Sequence, residues 1–165
     1  MLWGFHAIHH SSKTVDWLSS VRLHPVNDVV SRVLQVLPLY WIGFNAGVLA
    51  GFVPFLTLYA LLLHANVNWT YGRLRFVIAS PTFHRWHHTS EEEGLDKNFA
   101  GLFPFIDLAC GTFYMPPNRQ PQRFGIVNDD VPDGLLAQLA YPFGFRPRRT
   151  SKLFTWAQRT RMKSE

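Results

Sequence analysis

Residues 33–63 read VLQVLPLYWIGFNAGVLAGFVPFLTLYALLL, thirty-one positions without an Asp, Glu, Lys or Arg. At 1.5 Å rise per residue, such a run is longer than one crossing of a roughly 30 Å hydrocarbon layer requires. Pro38, Gly43, Gly47, Gly51 and Pro54 punctuate it, which argues against one straight helix. Between Val26 and Tyr71 the only charged residues are Asp28 and Arg32. That leaves room for two helices of about twenty residues each, with the break near Gly43–Gly47.

Basic residues flank the run on both sides, Lys13, Arg22 and Arg32 before it and Arg73 and Arg75 after it. Positive charge collects on the cytoplasmic side of membrane segments, so two basic ends predict a hairpin rather than a single span. The alternative is a buried helix pair of a soluble protein. Composition favours the membrane: 47% of the residues are hydrophobic and 16% charged, against roughly 25% charged in an ordinary soluble domain. Fourteen Phe and six Trp suit a chain that meets a lipid interface.

The net charge of +5 is concentrated at the C-terminal end, in Arg146, Arg148, Arg149, Lys152, Arg159, Arg161 and Lys163. No nucleic-acid-binding motif accompanies them, so they read as a positive-inside tail near anionic lipid. A single cysteine, Cys110, excludes an internal disulfide and a Cys-based zinc site, and reads as a small buried apolar residue. Residues 91–93, three glutamates, read as a solvated patch. Pro116, Pro117 and Pro121 mark an extended segment, and residues 128–132 a loop. Short amphipathic helices are expected over 135–141 and 153–161.

Six of the eight histidines occur in two copies of one pattern. The first is His6-Ala-Ile-His9-His10 and the second His84-Arg-Trp-His87-His88. On a helix, positions i, i+3 and i+4 share a face, so each copy is expected to aim three imidazoles at one point. A solitary histidine is ordinarily a surface or satisfied core residue. Adjacent histidines are harder to bury, because every ring needs partners. Neutral imidazole is the commonest metal ligand and suits Fe, Zn, Cu or Ni. Six clustered histidines exceed the ligand count of one zinc site, so two metals are expected in one pocket. Soluble di-iron bundles use Glu and Glu-x-x-His instead, and no such pattern lies on the expected helices.

The order of elements along the chain resembles the membrane fatty acid hydroxylase and sterol desaturase superfamily over nearly its whole length. The resemblance rests on Leu2-Trp3-Gly4-Phe5-His6-Ala7-Ile8-His9-His10-Ser11, Arg22-Leu23-His24-Pro25, His64-Ala65-Asn66-Val67 and Pro81-Thr82-Phe83-His84-Arg85-Trp86-His87-His88. Residues 96–101, DKNFAG, and 107–114, DLACGTFY, extend it.

It implies an all-α fold: a membrane helical hairpin over about 26–71, with a cytosolic helical cap from residues 1–25 and 72–165, together one domain. It implies two iron ions held by His6, His9, His10, His64, His84, His87 and His88, with O2 as co-substrate. His24, Asp96, Asn98 and Asp107 would support or orient the ligand imidazoles, with Asp107 equally readable as a turn residue. The activity implied is oxygen-dependent hydroxylation or desaturation of a lipid C–H bond, of fatty acid, sphingolipid or sterol type, in lipid biosynthesis. Phe99, Phe103, Phe105 and Tyr114 are candidates for lining the substrate channel, core packing being the competing role. Electrons would come from a cytochrome b5, a ferredoxin or a reductase, since no flavin, haem or Rossmann fingerprint occurs. The site would face the cytosol at a bacterial inner membrane or the endoplasmic reticulum.

The family carries a further histidine motif upstream of the first H-x-x-H-H, which has no counterpart here before His6. An N-terminally truncated chain is therefore expected. Two rival readings use the same residues. One is a zinc hydrolase, which would need a general base that no H-E-x-x-H supplies. The other is a degenerate or fragmentary, non-catalytic membrane protein.

Overall fold

A glycine and an asparagine make the turn on which the fold hinges. In the computed structural model, which describes residues 2–128 and 130–144, Gly43 ends a helix in the left-handed conformation at φ 104°. Its N–H donates to Tyr40 O and the N–H of Phe44 to Leu39 O, closing the last turn. Asn45 then caps the next helix by accepting the Val48 N–H at 3.0 Å.

Three helices begin the chain. Helix α1 is Leu2–His10, α2 is Pro25–Ile42 and α3 is Ala46–Leu63. Helices α2 and α3 form the expected hairpin, with its break at residues 43–45. Each has 18 residues, about 27 Å of helix. Arg32 ties the two together by donating to Thr57 Oγ1 at 2.9 Å, and pairs with Asp28 at 3.5 Å.

The hairpin buries little of its apolar surface against protein. Among the described helices, Ala46–Leu63 is long and apolar enough to cross a membrane, and 11% of it is buried. Helix α2 has the same length but falls short by composition, because Asn27, Asp28, Ser31 and Arg32 occupy its first two turns. None of its residues is buried. Trp41 and Ile42 at the tip are 76% and 74% exposed. An apolar surface of this extent signals a non-aqueous neighbour, since exposing it to water costs about 25 cal/mol per Å².

Beyond the hairpin the chain turns through a short 3-10 segment, Gly72–Phe76, into α4, Pro81–His87. Ser80 caps α4 by accepting the Phe83 N–H, and Pro81 sits at its first position. The core is assembled here. Leu63, Ala79, Phe83, Trp86 and Met115 form one buried cluster, flanked by Tyr59, Phe113 and Tyr114. Tyr59 donates its hydroxyl to Ala79 O, fastening α3 to the segment that leads into α4.

Helix α5, Phe105–Cys110, follows a loop held by two side chains. Asp107 accepts the N–H groups of Phe99 and Ala100 at 2.8 Å each and the Thr112 hydroxyl. Asn98 donates to Phe83 O and Tyr114 O and accepts the Tyr114 N–H. No strand occurs among the described residues, apart from an isolated bridge between Thr89 and Phe124.

A second compact unit starts at residue 130. It carries α6, Leu135–Ala140, where the short helix is expected, and a 3-10 turn, Tyr141–Phe143. The Tyr141 hydroxyl donates to Asp130 at 3.0 Å within it. The basic cluster from Arg146 to Lys163 and the helix expected over 153–161 lie outside the described residues.

Two expectations are corrected. Cys110 is exposed rather than buried, at the end of the short α5 whose Phe105, Ile106 and Leu108 are exposed as well. Glu91 is not solvated. It is 5% exposed, accepts the N–H groups of Gln122 and Arg123, and pairs with Arg119 at 2.9 Å. Three local donors repay the cost of burying that carboxylate.

Candidate metal centre

Three segments bring the histidines together: α1, the C-terminal end of α3, and α4. His6, His9 and His10 come from α1, His64 caps α3, and His84, His87 and His88 come from α4 and its cap. All seven expected ligands converge, but not motif by motif. One set is His9, His64, His84 and His88, the other His6, His10 and His87. Within each set, ligand atoms lie within 4.8 Å of one another.

The two motifs therefore exchange members. Each contributes its i and i+4 histidines to one set and its i+3 histidine to the other. The expectation that each copy aims all three imidazoles at one point is thus corrected: at about 100° per residue, i and i+4 lie about 40° apart around the axis, whereas i+3 and i+4 diverge by about 100°. The sets still touch, for the His10 and His88 rings stack at 4.3 Å between centroids.

The nitrogen geometry tests whether the site suits a cation. Nε2 of His64 lies 3.1 Å from Nε2 of His9 and 3.1 Å from Nε2 of His84, and Nε2 of His88 lies 3.1 Å from that of His84. In the other set, Nε2 of His6 and His10 are 3.0 Å apart. His64 donates Nδ1–H to Ala60 O at 2.7 Å, and His87 donates Nδ1–H to Lys97 O at 3.1 Å. In neutral form both rings then turn a bare Nε2 lone pair into their set. Crowded lone pairs with few protons between them are the donor arrangement of a metal site.

Electrostatics agrees. Burial is the largest cause and holds His9, His84 and His88 well below the ordinary imidazole range; repulsion among neighbouring imidazoles adds to it. Burial also lowers His10, and takes His87 down to about 4 although the Lys97 carbonyl opposes it. His6 is lowered by burial too, against the Asn27 side chain, which favours its charged form. The rings are thus kept neutral, the state in which imidazole binds metal.

The four remaining candidates sit one step or more from the imidazoles. His24 caps α2, accepting the Val26 N–H on Nδ1 at 3.1 Å, and its ring packs on Phe5 at 4.8 Å. Asn98 and Asp107 hold the loop that carries Lys97, so they act on His87 through a backbone carbonyl. Asp96 and Asn98 flank Lys97 with φ of 54° and 56°, the left-handed region that Asp and Asn tolerate best. Among the aromatic candidates, Phe99 lies beside His87 at 5.9 Å, Tyr114 packs on Trp86 at 4.9 Å, and Phe103 and Phe105 pack on each other.

Arg85 went unnoticed in the sequence, although it stands inside the second motif. It is buried, donates to Asn66 Oδ1 at 2.6 Å and to Val15 O at 3.3 Å, and lies over the Phe124 ring at 4.9 Å. One guanidinium thus links α4 to the segments that follow α1 and α3. A charged residue between two histidines of a buried motif is the signal that could have found it.

Comparison with known proteins agrees with this architecture. The chain is 32% identical to ornithine lipid hydroxylase OlsE of Rhizobium tropici, over 90% of this chain and 44% of that protein. It is 31% identical to alkylglycerol monooxygenase of Danio rerio, over 78% of this chain and 28% of the relative. It is 27% identical to very-long-chain aldehyde decarbonylase GL1-1 of Oryza sativa subsp. japonica, over 78% and 22%. The chain spans less than half the length of these curated relatives. No solved structure matches it. The Fatty acid hydroxylase family matches residues 1–112, which include both histidine motifs and His64, and the chain belongs to that family.

Proposed function

We propose that this chain carries the di-iron centre of an oxygen-dependent membrane enzyme that hydroxylates a lipid. The observation that carries the proposal is the pair of converging histidine sets, each with a ring, His64 or His87, whose Nδ1–H bond leaves Nε2 bare towards its set. His9, His64, His84 and His88 would hold one iron, and His6, His10 and His87 the other. Bound iron supplies activation of O2 for insertion into an unactivated C–H bond, with electrons from a separate donor such as a cytochrome b5, a ferredoxin or a reductase.

The protein's own groups do the rest. The Ala60 and Lys97 carbonyls fix the tautomers of His64 and His87. Asn98, Asp107 and Arg85 hold the segments that present the ligands. The hairpin, residues 26–71, would seat the enzyme in the bilayer, with residues 2–25 and 72–128 forming the cap on its cytosolic face. The named relatives act on an ornithine lipid and on alkylglycerols, which supports a glycerol- or amino-acid-based lipid with a long chain as the substrate class.

The test measures metal and product together. Full-chain protein purified without oxygen and loaded with iron should hold two irons. Lipid extracts from expressing cells should contain a species heavier by one oxygen atom, absent with His88→Ala. A preparation that binds zinc instead and yields no oxygen-dependent product would refute the proposal and favour hydrolysis.

A further inference from the structure

The histidine sets account for the chemistry, but not for how a lipid chain reaches them. A groove of about 380 Å³ runs between α1 and α2, in the size range of small-ligand sites. His6 forms part of its wall, so the groove touches the set of His6, His10 and His87 and no member of the other set. Val30, on α2, and Trp3, on α1, line opposite sides. Trp3 also packs against His6 and His10, with ring centroids at 6.1 and 5.5 Å. At the far end stands Leu34, 66% exposed, where α2 enters the uncharged run that continues to Leu63.

The lining is apolar apart from three residues, His6, Asn27 and Ser31. Asn27 and Ser31 stand at i and i+4 on α2, so they form one polar stripe on an otherwise apolar wall. Asn27 also faces His6. With Asp28 and Arg32, these polar positions deprive α2 of the composition of a membrane span, and the groove gives Asn27 and Ser31 a use. An opening that is largely apolar, reaches a surface-exposed apolar position at Leu34 and has an imidazole in its wall fits an alkyl chain better than a polar ligand.

We infer that a lipid's alkyl chain enters sideways from the bilayer at Leu34, lies along α2 against Val30 and Trp3, and ends at the His6–His10–His87 set. Asn27 and Ser31 then act as specificity-determining residues, offering amide and hydroxyl groups to a polar substituent on the chain. Ser31 sets how much of the groove is open. This inference rests on the hydroxylase reading for the direction of the chain, but occupancy can be tested without turnover.

The experiment uses the full, iron-loaded chain in phosphatidylcholine nanodiscs containing a phosphatidylcholine with a diazirine on its stearoyl chain. After irradiation, adducts are mapped by mass spectrometry, and iron is measured in the same samples. Labelling is expected on Trp3, Val30 and Leu34. Ser31→Trp should reduce it about tenfold with iron unchanged, because the indole occupies the groove. Leu58→Trp, on the exposed side of α3, should label like the parent. If Ser31→Trp does not fold, Leu34→Trp blocks the mouth and should give the same loss. Adducts confined to α3, or unchanged by either block, would overturn the inference. A chain that labels in the groove and holds iron but never oxidises lipid would count against the hydroxylase reading while leaving the groove in place.

Discussion

The two histidine sets differ in number and in cover. His9, His64, His84 and His88 are a set of four, between 2% and 9% exposed, drawn from three segments of the chain. His6, His10 and His87 are a set of three from two segments, with His6 and His87 half-buried and His6 open to the α1–α2 groove. The set of four is sealed and has a ligand in reserve. The set of three is the one that meets the groove, through His6, and it has no histidine beyond three. Within one cluster, the less covered set is also the smaller one, as a metal position kept open for chemistry would require on the proposed reading.

That contrast can be broken most severely at the ligands themselves. His87→Ala leaves two imidazoles in its set and should lower bound iron from two to one per chain, with product formation abolished. His64→Ala leaves three and should keep two irons at reduced affinity. Elemental analysis after stepwise dialysis against a chelator reads both. Equal losses from the two variants would show that the sets are not independent.

Arg85→Ala should act on both sets together, because Arg85 joins α4 to the segments following α1 and α3. It leaves the carbonyl of the buried Val15 without its donor, for a loss of about 2 kcal/mol in stability. A lowered thermal midpoint, with iron lost evenly from both positions, is the expected result. Arg85→Lys should restore part of the stability.

A smaller effect confined to one set should follow from Asn98→Ala. It removes three hydrogen bonds from the loop that aims Lys97 O at His87. Weakening of about 10-fold is expected at the set of three alone, the size typical of support behind a metal ligand. Cobalt loading followed by absorption spectroscopy would resolve which position has weakened.

A separate effect, on stability rather than on metal affinity, is that of pH on the metal-free chain. His87 is held at about 4 in the folded state and titrates near 6.5 when unfolded. Between these values the unfolded chain binds more protons, so stability is fully present above about 6.5 and falls as pH drops towards 4. The slope per histidine is at most about 1.4 kcal/mol per pH unit. Metal should shift the fall to lower pH, because bound imidazole does not accept the proton. Thermal midpoints across this window, with and without iron, check both signs.

Much of this was legible in the sequence. The uncharged run with its break near Gly43–Gly47 predicted the hairpin and its turn, because a left-handed glycine is local chemistry; the Asn45 cap is a detail the structure adds. The repeated H-x-x-H-H identified six histidines, and the family resemblance added His64. The acidic patch misled because three successive glutamates carry no sign of which one turns inward. The donors that bury Glu91 are Arg119 and the N–H groups of Gln122 and Arg123, some thirty residues later.

The sequence by itself determined which residues are available: a hairpin too apolar for water, and two helical turns with three histidines each. Only the tertiary structure decided how they combine. A helix fixes the angles among its own histidines, but which of them share a point depends on where the other helix stands. The packing of α4 on the end of α3 around Trp86, with Arg85 tied to the segments after α1 and α3, sets that relation. It exchanges one histidine between the motifs, adds a fourth histidine to one set alone, and opens a groove beside the other.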